Sequence, residues 1–288
     1  MNAIGVSLPW DYVSEKFITK DSAAVRDTLG LPADGINFLK GLGVSSIELR
    51  HLNAALGHDD MVRAISVLGN SGVNISIHAE DLPKSDNWSV HDILPWIDIL
   101  ENEVVLDQDE IVVAIHPQQS SGNESEDDLR LGTIKIIRML AELQEGWKRD
   151  YRFALENQRY RGLADQGTTF DGIHSMWAGI GSPVVGICWD FGHGIANHIK
   201  NNQQCIPSDE FLDATIHTHI HDLGPAGSTH WPFARNVVPL EDFASRLAVH
   251  GYCGIYNLEL GFDRFAEIDG KRELLVANID RLSQLLAK

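Results

Sequence analysis

Eight short apolar runs alternate along the chain with stretches of helical periodicity, and most of the runs stop at a His, Asp or Glu before entering a loop. They are residues 3–8 (AIGVSL), 45–50 (SSIELR), 73–78 (VNISIH), 111–116 (IVVAIH), 151–158 (YRFALENQ), 184–190 (VVGICWD), 217–222 (HTHIHD) and 254–260 (GIYNLEL). Between them apolar residues recur at helical spacing, as in Ile36, Leu39 and Leu42, in Met61, Ile65 and Leu68, and in Ile93, Ile97 and Leu100. A fourth helix runs through Leu140, and Phe170, Ile173, Trp177 and Ile180, then Leu240, Phe243 and Leu247, then Leu275, Ile279, Leu282 and Leu286 continue the pattern. Strands alternating with helices predict a parallel sheet, and eight such units in 288 residues predict one closed (β/α)8 barrel, a single TIM-barrel domain over residues 1–288. The least regular stretch, 191–210, carries Gly192, Gly194 and a polar run at 201–204, which predicts a loop or a short broken helix. The acidic run 124–128 reads as a solvated helix start.

Charge and cysteine usage narrow the functional classes. With 23 basic against 41 acidic residues the formal charge is −18, and no local basic patch offsets it, which argues against a nucleic-acid partner. Bound divalent cations would weaken that argument by inverting the charge of an acidic cleft. No apolar run reaches the roughly 20 residues needed to span a bilayer, and the N-terminus MNAIGVSLPW lacks a basic flank before an apolar stretch, so a membrane or export role is not expected. Cys188, Cys205 and Cys253 are odd in number and far apart, which suits a reducing cytoplasm and neither a disulfide framework nor a thiolate zinc site. A homo-oligomer is compatible with the sequence, which fixes no oligomeric state.

In a barrel of this kind the C-terminal strand ends converge on one face. The residues standing there are His78, His116, Glu156, Asp190, His219 and Glu259, each of a type that binds metals. Register supports a shared direction: Ala154 and Glu156 oppose Phe153 and Leu155, and Asn257 and Glu259 oppose Tyr256 and Leu258. In strand seven His217, His219 and His221 share one face. Several carboxylates aimed at one mouth require cations to hold them, and Arg50 is the only clear cationic residue at a strand end. His193 and His230, in the loops after strands six and seven, are candidates for ligands, substrate contacts or surface residues. Asp222 could orient an imidazole or touch a ligand directly. Arg50, Arg159 and Arg235 could bind a substrate phosphate or carboxylate, or serve as surface or salt-bridging arginines.

The series SSIELR, ISIHA, VAIHP, ALENQ, ICWDFGH, HIHDLG and YNLEL resembles the xylose isomerase-like barrels, a superfamily that includes sugar isomerases and epimerases, sugar-acid dehydratases and endonuclease IV. The resemblance covers nearly the whole chain and rests on the order and spacing of the motifs together. It implies that Glu156, Asp190, His219 and Glu259 hold a metal, and that in an epimerase the two glutamates also move protons on either face of the substrate. The endonuclease IV pattern would add His78 and His116 with Glu156 at a first zinc, Glu156 bridging to a second, and His193 and His230 at a third. Where that third site takes an aspartate this chain has Ser228, which puts a third ion in doubt.

Two chemistries and one alternative to catalysis follow. The first is a divalent-metal-dependent isomerase, epimerase or related lyase acting on a small sugar-like carbonyl compound, with Glu156 and Glu259 as the acid/base pair. The second is phosphoester hydrolysis of the endonuclease type; the extra histidines favour it, while Ser228, the acidic surface and HAED after strand three oppose it. The third is a non-catalytic metal- or sugar-binding barrel. Mixed carboxylate and imidazole donors suit Zn, Mn, Co or Mg, and the donor count allows one to three ions.

Overall fold

The computed structural model describes residues 2–53, 55–163 and 166–287. Eight parallel strands close in sequence order: β1 (Ala3–Pro9), β2 (Val44–Arg50), β3 (Asn74–His78), β4 (Glu110–Ile115), β5 (Asp150–Glu156), β6 (Val185–Asp190), β7 (Thr215–Ile220) and β8 (Ile255–Leu258), with β8 pairing back onto β1. The (β/α)8 barrel expected from the alternating pattern is the fold, and each expected strand overlaps an observed one.

Strand alternation places Leu8, Ile47, Ile77, Val113, Phe153, Ile187, Trp189 and Leu258 on the outer face, where they are buried beneath the helices. The opposite set is short or polar: Ser7, Glu48, Ser76, Ala114, Ala154, Cys188, His217 and Asn257, all fully buried. Barrel interiors are commonly filled by branched aliphatic side chains. Here Glu48 fills the middle. Its Oε1 accepts from Ser7 Oγ at 2.7 Å and Asn257 Nδ2 at 3.0 Å, and its Oε2 accepts from His217 Nε2 at 2.9 Å and His219 Nε2 at 3.0 Å. Strand register makes this meeting possible, since Ser7 pairs with Glu48 and His219 with Asn257. A buried carboxylate with four donors has its desolvation offset by hydrogen bonding.

Two stretches differ from expectation. Helices Trp10–Val13 and Lys20–Leu29 precede the first helix read from periodicity. The second starts on Thr19, whose side chain accepts from Ser22 N at 3.1 Å, but its buried apolar stripe is only Ala24, Val25 and Leu29, too thin to register as periodic. The stretch 191–210 is also more ordered than a broken helix: Phe191–Asn201 is a continuous helix, and a short one, Asp209–Asp213, follows. Asp190 caps the longer helix, its Oδ1 accepting from His193 N at 2.6 Å, and the polar run at 201–204 is where that helix ends, with Asn202 left-handed. Gly192 is tolerated in its first turn because space demands it: a Cβ there would lie 1.8 Å from His221 Cε1. Among the described residues no helix is long and apolar enough to cross a membrane.

Candidate metal centre

Five of the six strand-end residues, His78, His116, Glu156, His219 and Glu259, come together, and the sixth, Asp190, joins them through His193. Glu156, the last residue of β5, is the hub: its Oε2 lies 3.2 Å from His78 Nε2, 3.4 Å from His116 Nε2 and 3.1 Å from His219 Nδ1, and its Oε1 lies 3.4 Å from His193 Nδ1. Glu259 Oε2 lies 3.3 Å from His219 Nδ1 and 3.4 Å from His230 Nδ1. Asp190 Oδ2 is 3.2 Å from His193 Nδ1, and His221 Nε2 is 3.2 Å from the same carboxylate. The group opens into a cavity of about 730 Å³ lined by His78, His116, His193, His230 and Glu259 among others.

Close approach is not matched by hydrogen bonding. Both carboxylate oxygens of Glu156, Oε2 of Glu259 and Nδ1 of His219 are buried without a hydrogen-bond partner. The outer nitrogens explain why. His78 Nδ1 donates to Ala79 O at 2.9 Å, His116 Nδ1 to Asp81 Oδ1 at 3.3 Å, and His219 Nε2 to Glu48 at 3.0 Å. With those N–H groups committed outward, the remaining nitrogen of each neutral imidazole turns a lone pair toward the carboxylates. Lone pairs and carboxylates converging on one buried point repel unless a proton or a cation stands between them. The donor set therefore fits a divalent ion: His78, His116 and Glu156 offer donor atoms within 4.8 Å of one another, and so do His78, His219 and Glu259.

The same arrangement shifts the ionisation of its members. Burial alone would push the His116 imidazole down, but Glu156 and Asp81 beside it raise it to about 10. His78 and His219 also lie above the ordinary imidazole range, burial being outweighed chiefly by Glu156 for His78 and by several neighbouring acidic groups, Glu48, Glu156 and Glu259 among them, for His219. Burial dominates at His230 and lowers it to about 4. Below these raised values the site holds protons, which a metal ion must displace, so metal affinity should fall as pH falls. Calorimetric metal titrations near pH 7 in buffers of different ionisation enthalpy should show release of about one proton or more per ion. Uptake with no proton release would contradict this account.

A second group of imidazoles adjoins the first. His193, His221 and His230 each offer a nitrogen within 4.8 Å of the others. His221 Nδ1 accepts from His230 N at 3.0 Å, which directs its Nε2 to Asp190, and His230 sits in the left-handed region at φ 62°. The sequence pattern sets His221 on the face of His219 without assigning it to the site, and it gives Glu48 no role. Period-two alternation could have found His221. Glu48 had no local signal, because its imidazole partners lie 169 and 171 residues away.

Three other candidates are committed to structural contacts. Asp222 accepts four backbone N–H groups, from Arg235 at 3.1 Å, Asn236 at 2.7 Å, Val237 at 2.9 Å and Val238 at 3.0 Å, and so clamps the loop after β7. Asp222→Ala would leave those donors unpaired, and unfolding by denaturant should show a loss of about 3 kcal/mol or more. A loss under about 1 kcal/mol would remove the clamp assignment. Arg235 is not brought to the cavity; its guanidinium donates to Gly224 O at 2.6 Å. Arg50 lines the cavity, but pairs with Asp21 and donates to Leu260 O at 2.8 Å.

Fold and site together define a TIM barrel whose C-terminal mouth is built from carboxylates and imidazoles. The chain belongs to the xylose isomerase-like TIM barrel family, whose model matches residues 36–284. Solved structures of similar fold include D-psicose 3-epimerase with D-tagatose from Clostridium cellulolyticum H10, at TM-score 0.65 and 12% identity over 98% of this chain and 99% of that one. Another is the probable 3-DHS dehydratase AsbF from Bacillus anthracis, at TM-score 0.61 and 16% identity, covering 97% and 99%. A third is the IolI protein with a binding zinc atom, at TM-score 0.58 and 13% identity, covering 94% of each chain. No curated protein matches the sequence.

Proposed function

We propose that the protein is a divalent-metal-dependent isomerase, epimerase or related lyase that moves a proton at carbon beside a carbonyl of a small sugar-like compound. The observation that carries this reading is the pair of buried glutamates, Glu156 and Glu259, whose Oε2 atoms both approach His219 Nδ1 and make no hydrogen bond. Glu156, Asp190, His219 and Glu259 would hold the ion, with His78 and His116 beside Glu156. An ion bound there would act as a Lewis acid on the substrate oxygen. Glu156 projects from β5 and Glu259 from just past β8, so a sugar carbon brought to them would have one carboxylate to take the proton and a second to return it. His219 is kept in register by Glu48, and the cavity holds room for a small hydroxylated molecule. The neighbouring sugar epimerases and the dehydratase support this class of substrate and reaction.

Incubation of the metal-loaded protein with candidate ketoses in D₂O should place deuterium on the carbon next to the carbonyl. Absence of exchange across a panel of ketoses, sugar acids and sugar phosphates would overturn the reading. A second reading, zinc-dependent phosphoester hydrolysis, is favoured by one observation, the His193, His221 and His230 group, which could hold a further ion. Ser228 contributes nothing to it, donating its hydroxyl to Pro225 O at 3.0 Å. Cleavage of abasic DNA, with two or three ions found by elemental analysis, would favour that reading. Failure of both assays with metal bound would leave a binding barrel.

A further inference from the structure

One side of the mouth is cationic although the chain as a whole carries −18. Arg159, Arg161 and Arg264 line the same cavity as His78, His116 and Glu259. The first two lie in the loop after β5, and Arg264 ends a short turn, Phe262–Arg264, beyond β8. Among the described residues Arg159 makes only long contacts, Nη1 with Thr229 Oγ1 at 3.4 Å and Nη2 with Gly227 O at 3.3 Å. Arg264 is folded over Gly261, where a Cβ would lie 3.1 Å from its Cγ and Nε, so its stem is held against the exit of β8, near Glu259.

Among the described residues, no carboxylate forms an ion pair with any of these three arginines. Of the acids lining the cavity, Asp21 pairs with Arg50, and Asp81 contacts His116 at 3.3 Å and Gln119 at 3.1 Å and feels the charge of Arg161 at longer range; Glu80 and Asp263 line it too, and neither forms an ion pair with the three arginines. Partial burial, and after it the charges of Arg264 and Arg161, which line the same cavity, disfavour the charge on Arg159. Cations gathered at a cleft without direct ion-pair partners form a local positive patch that an anion relieves. A carboxylate is satisfied by one bidentate guanidinium, whereas a phosphate monoester brings close to two charges and three acceptor oxygens, matching several forks.

We propose that Arg159, Arg161 and Arg264 form an anion subsite for the phosphate monoester end of the substrate, whose other end lies at Glu156 and Glu259. The placement of that other end rests on the proton-transfer reading; the anion subsite does not. Arg50 and Arg235 are excluded from it by their existing partners.

The test is calorimetric titration of the full chain with inorganic phosphate and with acetate, as isolated with its metal and again after chelation. Phosphate held by arginine persists after chelation, while phosphate held only by an ion does not. The wild-type protein should bind phosphate at least about tenfold more tightly than acetate, and Arg161→Ala/Arg264→Ala should weaken phosphate binding by about tenfold or more. Arg161→Lys/Arg264→Lys should recover part of the loss. Both side chains are exposed, so the variants should melt with the wild type. Equal phosphate affinity in wild type and the alanine variant would overturn the subsite. Acetate binding as well as phosphate would overturn its assignment to a phosphate, and a short oligonucleotide outcompeting glycerol phosphate would overturn its assignment to a monoester. Deuterium exchange is measured separately, so loss of the proton-transfer reading and loss of this one are distinguishable.

Discussion

Glu259→Gln should lower turnover by about 10²- to 10⁴-fold, the range for removing a positioned acid or base, with the melting temperature of the metal-free protein little changed. The amide is nearly the same size and keeps an oxygen for the imidazoles, but it cannot carry a proton between carbon and solvent. Glu259 Oε2 has no hydrogen-bond partner to lose, being 3.3 Å from His219 Nδ1 and 3.4 Å from His230 Nδ1 without bonding either. Turnover is measured on whichever ketose exchanges deuterium. A variant as active as the wild type would remove Glu259 from the chemistry.

Metal removal should have the largest effect on stability. Glu156, Asp190 and Glu259 are fully or almost fully buried in one cluster, and an ion that binds only the folded state stabilises it by mass action. At an ion concentration a thousandfold above Kd the gain is about 4.1 kcal/mol, a melting shift on the order of 10 °C in a chain of this size. Chelation followed by readdition of Zn, Mn, Co and Mg in turn should recover that shift with the preferred ion and identify it. Glu156→Gln should abolish the recovery, because four imidazoles approach that one carboxylate. A melting temperature indifferent to chelation and readdition would argue that protonated imidazoles alone hold the cluster.

The sequence showed the barrel because its strands end abruptly. ISIH, VAIH, ALE and ICWD each place an ionisable residue after several apolar ones, and parallel topology brings such ends to one face whatever the loops do. It showed less where the signal is tertiary. The helix Lys20–Leu29 is amphipathic through only three apolar residues, and Phe191–Asn201 begins with two glycines whose reason, space for His221 and for the Phe170 ring, lies in other elements. Glu48 looked like one polar residue in a strand, and its meaning came from strands folded far from it in sequence. Arg161 and Arg264 carry no local mark at all; only closure of the barrel sets them on one rim.

The interior carboxylate also bears on how the chain matures. Glu48 ties β2 to β1 through Ser7, to β7 through His217 and His219, and to β8 through Asn257, across the seam where the circle of strands is completed. A nascent chain that has left the ribosome only as far as β6 holds this acid facing no imidazole and no amide, and burying it then would be costly. The strands synthesised last therefore carry the donors that satisfy this acid, and the same contacts that close the ring fix the orientation of His219.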